Sequence, residues 1–293
     1  PIALRLGLQH FELGLDTSVD EGDLWAGHGR LIGDSRLGSG LPREIDRLRP
    51  AGLWAEYTSN QEFFIRGFAG WVSRDLTDSS GDDVFVAIEG RAVFLSNQVV
   101  GGYSYWEDPD ARNLQTAWAG GLLELNPTVT VFGEAGFQFG EDQSGTAVYG
   151  GVRVRPQQDF VIDLSYWVVS GDDATTARDV EGWQSFGSLS TLFLIDGLDY
   201  GLGRQTNYSA LKVVVLFPLA FDLSVRGAYG WFTAADSSTG ETPGDSFEGF
   251  LVWSPSPLAR IEAGGGYIFD SDALPTQPGR DGWTVLVRFE GRF

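Results

Sequence analysis

Alternate residues of the segment Trp283 to Phe293 fall into two sets. Trp283, Val285, Val287, Phe289, Gly291 and Phe293 make one, and Thr284, Leu286, Arg288, Glu290 and Arg292 the other. A period of two is that of a β-strand, whose successive side chains point to opposite faces. One face is apolar with aromatics at both ends, while the other carries three charges. Lipid on one side and a wet interior on the other would produce this pattern. A strand of a soluble sandwich, half solvated, alternates in a similar way, so the rest of the chain has to decide.

Stretches of the same alternation recur: Ile2 to Leu15, Asp46 to Thr58, Glu62 to Arg74, Asp83 to Leu95, Gln98 to Glu107, Arg112 to Leu125, Thr128 to Gly140, Gly145 to Pro156, Asp159 to Gly171, Thr206 to Phe217, Ala220 to Ala234, Asp245 to Ser254, Leu258 to Asp270, and the final strand. They make about fourteen, an even number as single-chain bacterial barrels need, and each holds the roughly 9 to 11 residues of a tilted membrane strand plus extensions. The connections alternate in kind. Ser59-Asn60-Gln61, Ser96-Asn97, Asn126-Pro127, Gln157-Gln158, Pro218-Leu219 and Pro255-Ser256-Pro257 are short and uncharged, the chemistry of tight hairpins. The others are acidic and longer, above all 16–45 and 172–205.

Short turns on one rim and long loops on the other is the outer-membrane arrangement, and a sandwich is not expected to show it. The expected fold is an all-β, transmembrane antiparallel up-and-down β-barrel, a single domain over residues 1–293, with both termini periplasmic and the long loops extracellular. Within the second long loop lies an apolar patch, Leu192-Phe193-Leu194-Ile195. It either folds inward as a constriction or forms another hairpin, which brings the strand count to about sixteen.

Composition narrows the choice further. Acidic residues outnumber basic ones 40 to 20, and Lys212 is the single lysine. That balance argues against a nucleic-acid partner, which needs a basic footprint. With no cysteine, disulfides, thiolate zinc sites and cysteine nucleophiles are excluded. The longest apolar run, Leu211 to Phe221, is broken by Pro218 and is about half the roughly 20 residues a spanning helix needs. Pro1 stands almost on a strand, which reads as a mature or trimmed start. Acidic runs such as Asp78-Ser79-Ser80-Gly81-Asp82-Asp83 offer oxygen ligands for calcium, but solvated loops are the commoner explanation and no EF-hand spacing is present. No metal or cofactor is expected.

If the apolar side of each strand faces lipid, the opposite side can be named. Phe63, Ile65, Gly67, Ala69 and Trp71 point outward in the third strand, with Phe64, Arg66 and Phe68 inward. Phe221, Leu223, Val225, Gly227, Tyr229 and Trp231 point outward in the eleventh, with Asp222, Ser224, Arg226 and Gly230 inward. Extending the rule gives pore-lining bases Arg5, Arg66, Arg91, Arg153, Arg155, Lys212, Arg226, Arg260, Arg288 and Arg292. The matching acids are Glu56, Glu89, Glu134, Asp163, Glu248, Glu262 and Glu290. Guanidinium groups in a pore favour anions, and the same residues can pair across strands to stiffen the wall.

Catalysis finds little support. Serine chemistry wants a histidine in reach, and only His10 and His28 exist, neither beside a serine motif. His10 lies where the first strand changes phase between Leu8 and Phe11. No Gly-x-Ser-x-Gly or His-Glu-x-x-His is present.

Three groups of residues carry a family likeness. Gly7-Leu8-Gln9-His10-Phe11-Glu12-Leu13-Gly14 is followed by Gly29-Arg30-Leu31-Ile32-Gly33-Asp34; Tyr166 to Ala174 contains Ser170-Gly171-Asp172-Asp173; and the last third runs from Ala210 through Trp231 to Arg292-Phe293. The chain resembles the alginate-export-like family of outer-membrane β-barrel porins, with Leu8 where that family has an arginine. Strands that longer members carry ahead of this point have no counterpart here, and a narrower barrel would follow. The resemblance implies a passive outer-membrane channel. The expected function is a porin for small hydrophilic solutes, anionic ones included, with outer-membrane lipid as its surroundings. An export conduit for an acidic polysaccharide is one alternative. The other is a structural barrel anchoring an envelope assembly, as a homo-oligomer or with other proteins.

Overall fold

The structure, a computed structural model, describes residues 2–8, 12–15, 33–34, 49–59, 62–73, 83–107, 113–140, 143–157, 159–171, 182–183, 208–233, 244–256, 259–269 and 282–291. The strands are β1 (Ile2–Leu8), β2 (Glu12–Leu13), β3 (Gly33–Asp34), β4 (Arg49–Ser59), β5 (Phe63–Ser73), β6 (Asp83–Phe94), β7 (Asn97–Glu107), β8 (Leu114–Asn126), β9 (Val129–Gly140), β10 (Gln143–Gln157), β11 (Phe160–Val169), β12 (Tyr208–Pro218), β13 (Leu223–Thr233), β14 (Gly244–Ser256), β15 (Ala259–Phe269) and β16 (Gly282–Gly291). β1 and β4 to β16 form one 14-stranded antiparallel sheet in which sequence neighbours are spatial neighbours, and β2 and β3 form a separate small ladder. The fold is the up-and-down antiparallel barrel expected from the alternation.

Two local expectations change. The first strand stops at Leu8 instead of running to Leu15, and residues 12–13 pair with 33–34 instead of with the wall. The hairpin after β12 turns later than Pro218-Leu219: Phe221 and Asp222 both have positive φ, 61° and 58°. Two successive left-handed residues match the twist of a tight hairpin, so these two residues belong to the turn and not to the wall. At the β8–β9 turn, Asn126 Oδ1 accepts from the N–H groups of Thr128 and Val129 at 2.9 and 3.0 Å, the local bonding that makes asparagine a turn former. The Leu192 to Ile195 patch, His10, His28, Arg292 and most residues of the long acidic loops lie outside the described residues.

The two faces of the sheet differ sharply. Ile88, Leu164, Tyr166 and Leu251 on one face are exposed, while their sequence neighbours Glu89, Asp163, Ser165 and Phe250 on the other are buried. Large apolar side chains thus face outward, the inverse of a water-soluble sandwich. Exposed aromatics gather at two heights. Trp71, Phe139, Trp231 and Phe269 lie towards the long-loop rim, and Tyr57, Phe63, Phe94, Phe217 and Phe289 towards the short-turn rim. Between them lie aliphatic residues such as Val86, Val148 and Val225. Phe63 and Trp71 stand on one strand, a rise of roughly 26 Å, or about 20 Å along the membrane normal for a tilt near 40°. That approaches the roughly 25 Å apolar band of outer-membrane barrels flanked by aromatic girdles.

β1 and β16 stand at the two ends of the strand order, and no ladder joins them among the described residues. Because direction alternates through the sheet, these end strands run antiparallel to one another. Each carries one ladder, to β4 and to β15 respectively, and Leu6 reaches 84% exposure on β1.

An outward charge should reveal the lipid face. Ile88→Arg is expected to destabilise the folded protein in vesicles by about 2 to 4 kcal/mol, as arginine does at the bilayer midplane, whereas Ser96→Arg in a short turn should leave it nearly unchanged. Equilibrium denaturant unfolding checks both.

Candidate functional site

The inward face is a packed surface of aromatics and paired charges. Trp54, Phe68, Phe85, Trp106, Trp118 and Trp167 are buried there, where the sequence alone predicts a wetter wall. Trp118, and Phe132 on the same face, lie over glycine. Gly102 stands opposite Trp118, and a Cβ on it would come within 2.2 Å of the Trp118 ring and 2.6 Å of the Ile88 carbonyl oxygen. Gly151 bears the same relation to Phe132 across β9 and β10, at 2.6 Å. A large ring can therefore lie flat on the wall only because its cross-strand partner has no side chain.

Three charge clusters sit among the rings. In the first, Glu89 is fully buried and its carboxylate accepts from Arg66 Nη2 at 2.6 Å and Arg91 Nη2 at 3.4 Å. The Arg91 guanidinium stacks 5.1 Å from the Phe64 ring centre, and Arg66 lies 5.6 Å from Trp54. In the second, Arg153 donates from Nε and Nη2 to Asp163 Oδ2 at 3.0 and 2.9 Å, beside a column of rings in which Tyr149 stacks on Trp167 at 4.3 Å. In the third, Glu262 Oε1 accepts from Arg260 Nη2 at 2.6 Å and lies 3.8 Å from Arg226 Nη1, with Arg226 4.5 Å above the Phe250 ring. Buried ions need such partners, because leaving water costs several kcal/mol per charge, and stacking on a ring recovers part of that cost for arginine.

The remaining residues named from the sequence are placed as follows. Lys212 is buried on β12, opposite Ser165 and Gly230, and Glu248 is buried on β14. Glu134 is buried on β9, and Arg155 and Glu56 are half-buried. Arg5 is exposed on β1. Arg288 and Glu290 stand opposite Glu262 and Arg260 in the β15–β16 register.

What the sequence did not announce is a strap across the interior. Gly14 donates its N–H to Glu89 Oε2 at 2.6 Å, and Leu15 donates to Glu134 Oε1 at 2.8 Å. Arg91 Nη2 donates to the Gly14 carbonyl at 3.1 Å. Leu13 and Leu15 are buried, and Gly14 has a φ of 91°, a backbone state that suits glycine. The two carboxylates come from β6 and β9, three strand spacings apart, about 14 Å on a flat sheet. Consecutive Cα atoms are only about 3.8 Å apart, so the wall curves around this segment. From the second long loop, Trp183 is also buried, its Cα 3.0 Å from where a Cβ on Gly145 would stand. The Leu192 to Ile195 patch, expected as a constriction or a further hairpin, lies outside the described residues. The only sequence signal for the strap was the phase change at His10.

No family profile matches the sequence, and no curated protein does. Solved structures do. Pseudomonas aeruginosa OccK11 (OpdR) is similar with a TM-score of 0.57 at 12% identity, covering 100% of this chain and 78% of that one. The fold is that of the outer-membrane porins. Acinetobacter baumannii OccAB3 is similar with a TM-score of 0.56 at 14% identity, over 85% of this chain and 69% of that one. Pseudomonas aeruginosa OpdK, solved with vanillate, has a TM-score of 0.52 at 14% identity, over 85% of this chain and 73% of that one. At these identities the likeness concerns the porin fold.

The Arg153–Asp163 pair gives a direct test of how the wall is held. Arg153→Met and Asp163→Leu are each expected to cost about 3 to 5 kcal/mol, because each strands a buried charge. The double replacement should cost much less than their sum, measured by unfolding in lipid as a double-mutant cycle.

Proposed function

We propose that the chain is an outer-membrane porin, a passive diffusion channel for small hydrophilic solutes that include anions. The observation that carries this reading is the two-faced sheet: apolar and girdled with aromatics outside, lined by fixed guanidinium and carboxylate groups inside. A face of that kind inside a lipid-embedded barrel gives charged solutes a path that the bilayer denies them. Arg5, Arg66, Arg91, Arg153, Arg155, Lys212, Arg226, Arg260, Arg288 and Arg292 would line it, balanced by the neighbouring acids.

The arginines of the inner wall are held over rings, as Arg226 is over Phe250 and Arg91 over Phe64. A planar carboxylate could meet charge and ring together there, and vanillate, the compound in the OpdK structure, has that chemistry. β1 begins and β16 ends at the short-turn rim, which supports periplasmic termini, with the loops at 16–45 and 172–205 outside and residues 1–293 as one barrel domain. This reading assigns no catalysis and no cofactor. Membership of the alginate-export-like family is its finer form, in which an acidic polysaccharide is the cargo. Association into an oligomer or envelope assembly also belongs to this finer form.

In planar bilayers the purified protein is expected to give discrete current steps, with a reversal potential showing mild preference for anions. A strong cation preference would contradict the inward arginines. Silence in a demonstrably folded sample would favour a structural barrel, and block by an oligouronate would favour polysaccharide export.

A further inference from the structure

β1 is exposed on both of its faces. Leu4 and Leu6, on the outward set, reach 66% and 84%, whereas Leu53 on the neighbouring β4 is 47% exposed. Arg5, on the inward set, is exposed too, although Trp54 opposite it is buried. The outward residues of β16 match, with Val285 at 69% and Phe289 at 73%. A strand with a neighbour on one side only produces this pattern, and in lipid its second edge has to find a partner.

The ladders fix where the two edges can meet. The row that crosses the strands through Arg5, Trp54, Phe68 and Ala87 arrives at Gln138 and Gly145, near the long-loop rim, so the sheet is staggered. Continued at the registers of the remaining ladders, it meets the line of β16 about 14 residues before Glu290. Arg5 opposite Glu290 therefore closes the 14-stranded sheet with a shear of about 14 and a strand tilt of roughly 35°, within the range of membrane barrels. A shift by one residue is excluded, because it turns the apolar set of one strand inward. With Arg5 opposite Arg288 the tilt falls to roughly 30° and like charges meet. With Arg5 opposite Arg292 like charges meet again, and of β1 only Leu6, Gly7 and Leu8 remain to pair, with Gly291, Glu290 and Phe289 of β16.

We propose that β1 zips onto β16 of the same chain with Leu4 opposite Gly291, Arg5 opposite Glu290 and Leu6 opposite Phe289, and that Arg5 and Glu290 form a charge pair at this seam. Arg260 stands opposite Glu290 on the other side, in the β15–β16 register, so an acid comes to lie between two arginines. The seam thereby adds an Arg–Glu–Arg row to the charges near the short-turn rim, next to the Arg260–Glu262 pair. Leu6 beside Phe289 continues the lipid-facing surface across it. A second copy is the poorer partner, because one chain carries both edges, antiparallel and at matching height, and joining them leaves no edge over. The inference rests on the barrel fold and not on the porin reading, which current steps in planar bilayers test separately.

Disulfide trapping tests the seam, since the chain has no cysteine. Three double variants combine Phe289→Cys with Leu4→Cys, Leu6→Cys or Leu8→Cys, and each is oxidised in lipid vesicles and run on non-reducing gels. Directly opposite residues of an antiparallel pair lie about 4.5 to 5.5 Å apart, within reach of a disulfide, while diagonal ones lie about 7 to 8 Å apart, beyond it. Leu6→Cys with Phe289→Cys is expected to close within the monomer at about ten times the yield of the other two. Better closure from Leu4→Cys or Leu8→Cys would overturn the register. Linked dimers, or no closure in folded protein, would overturn the seam. Adding Arg5→Glu is expected to lower the closure several-fold and Arg5→Lys to preserve it, and an unchanged yield with Arg5→Glu would overturn the charge pair. Should the cysteine pairs not fold, a single benzoylphenylalanine in place of Leu6 decides the same question: a crosslink within one chain to residues 287–291 supports the seam, and one elsewhere or to a second copy overturns it.

Discussion

Hydrocarbon offers no partner to a backbone N–H or C=O, and that constraint organises the whole chain. Each unpaired group in lipid costs several kcal/mol, so a β-structure there has to satisfy its backbone through ladders between neighbouring strands. Wall strands of ten to fifteen residues follow for most of the sheet, together with hairpin turns at one rim that waste no backbone. The constraint presses hardest on β1 and β16, each with one ladder. Their opposite directions leave an edge geometry able to pair antiparallel.

A second consequence concerns the other face. Once the outer surface is given over to aliphatic residues between aromatic girdles, charges at mid-height in the wall strands turn inward, as Glu89, Glu134 and Arg153 do, and are desolvated by their neighbours, while Asp245 on the outward set bonds the Tyr229 hydroxyl near the long-loop rim. The protein answers with pairs and rings: Arg153 with Asp163, Arg260 with Glu262, Arg226 over Phe250, Arg91 over Phe64. Guanidinium groups fixed in this way hold the field of the interior in place, which a mobile side chain would not. The strap uses the same currency, since two wall carboxylates that would otherwise be costly become acceptors for Gly14 and Leu15.

Much of the fold was legible in the sequence because the period of two repeats so many times. Strand order, the short turns and the outward set on β5 follow from residues such as Phe63, Ile65 and Trp71, whose alternation with Arg66 and Phe68 admits one orientation. The turn at Phe221 and Asp222 escaped, because phenylalanine rarely takes a left-handed conformation, although aspartate does, and Pro218 offered a better-known signal. The packed interior escaped for a different reason. Trp118 and Gly102 are separated in sequence and meet only through the β7–β8 register, so a ring over a glycine looks in sequence like two unrelated residues. The strap was illegible in the same sense: its wall contacts span 75 and 119 residues and use backbone amides, which every residue but proline has.

The orientation of the wall is open to direct measurement, because the chain has no cysteine and single ones can be introduced without background. Cysteines placed in turn from Ile162 to Val168 on β11, labelled with a bilayer-sensitive fluorophore and reconstituted in vesicles, report contact with brominated acyl chains. Strong quenching at positions 162, 164, 166 and 168 and weak quenching at 163, 165 and 167 is the expected result. Uniform quenching, or protein that remains monodisperse in buffer without detergent, would contradict a lipid-facing outer surface.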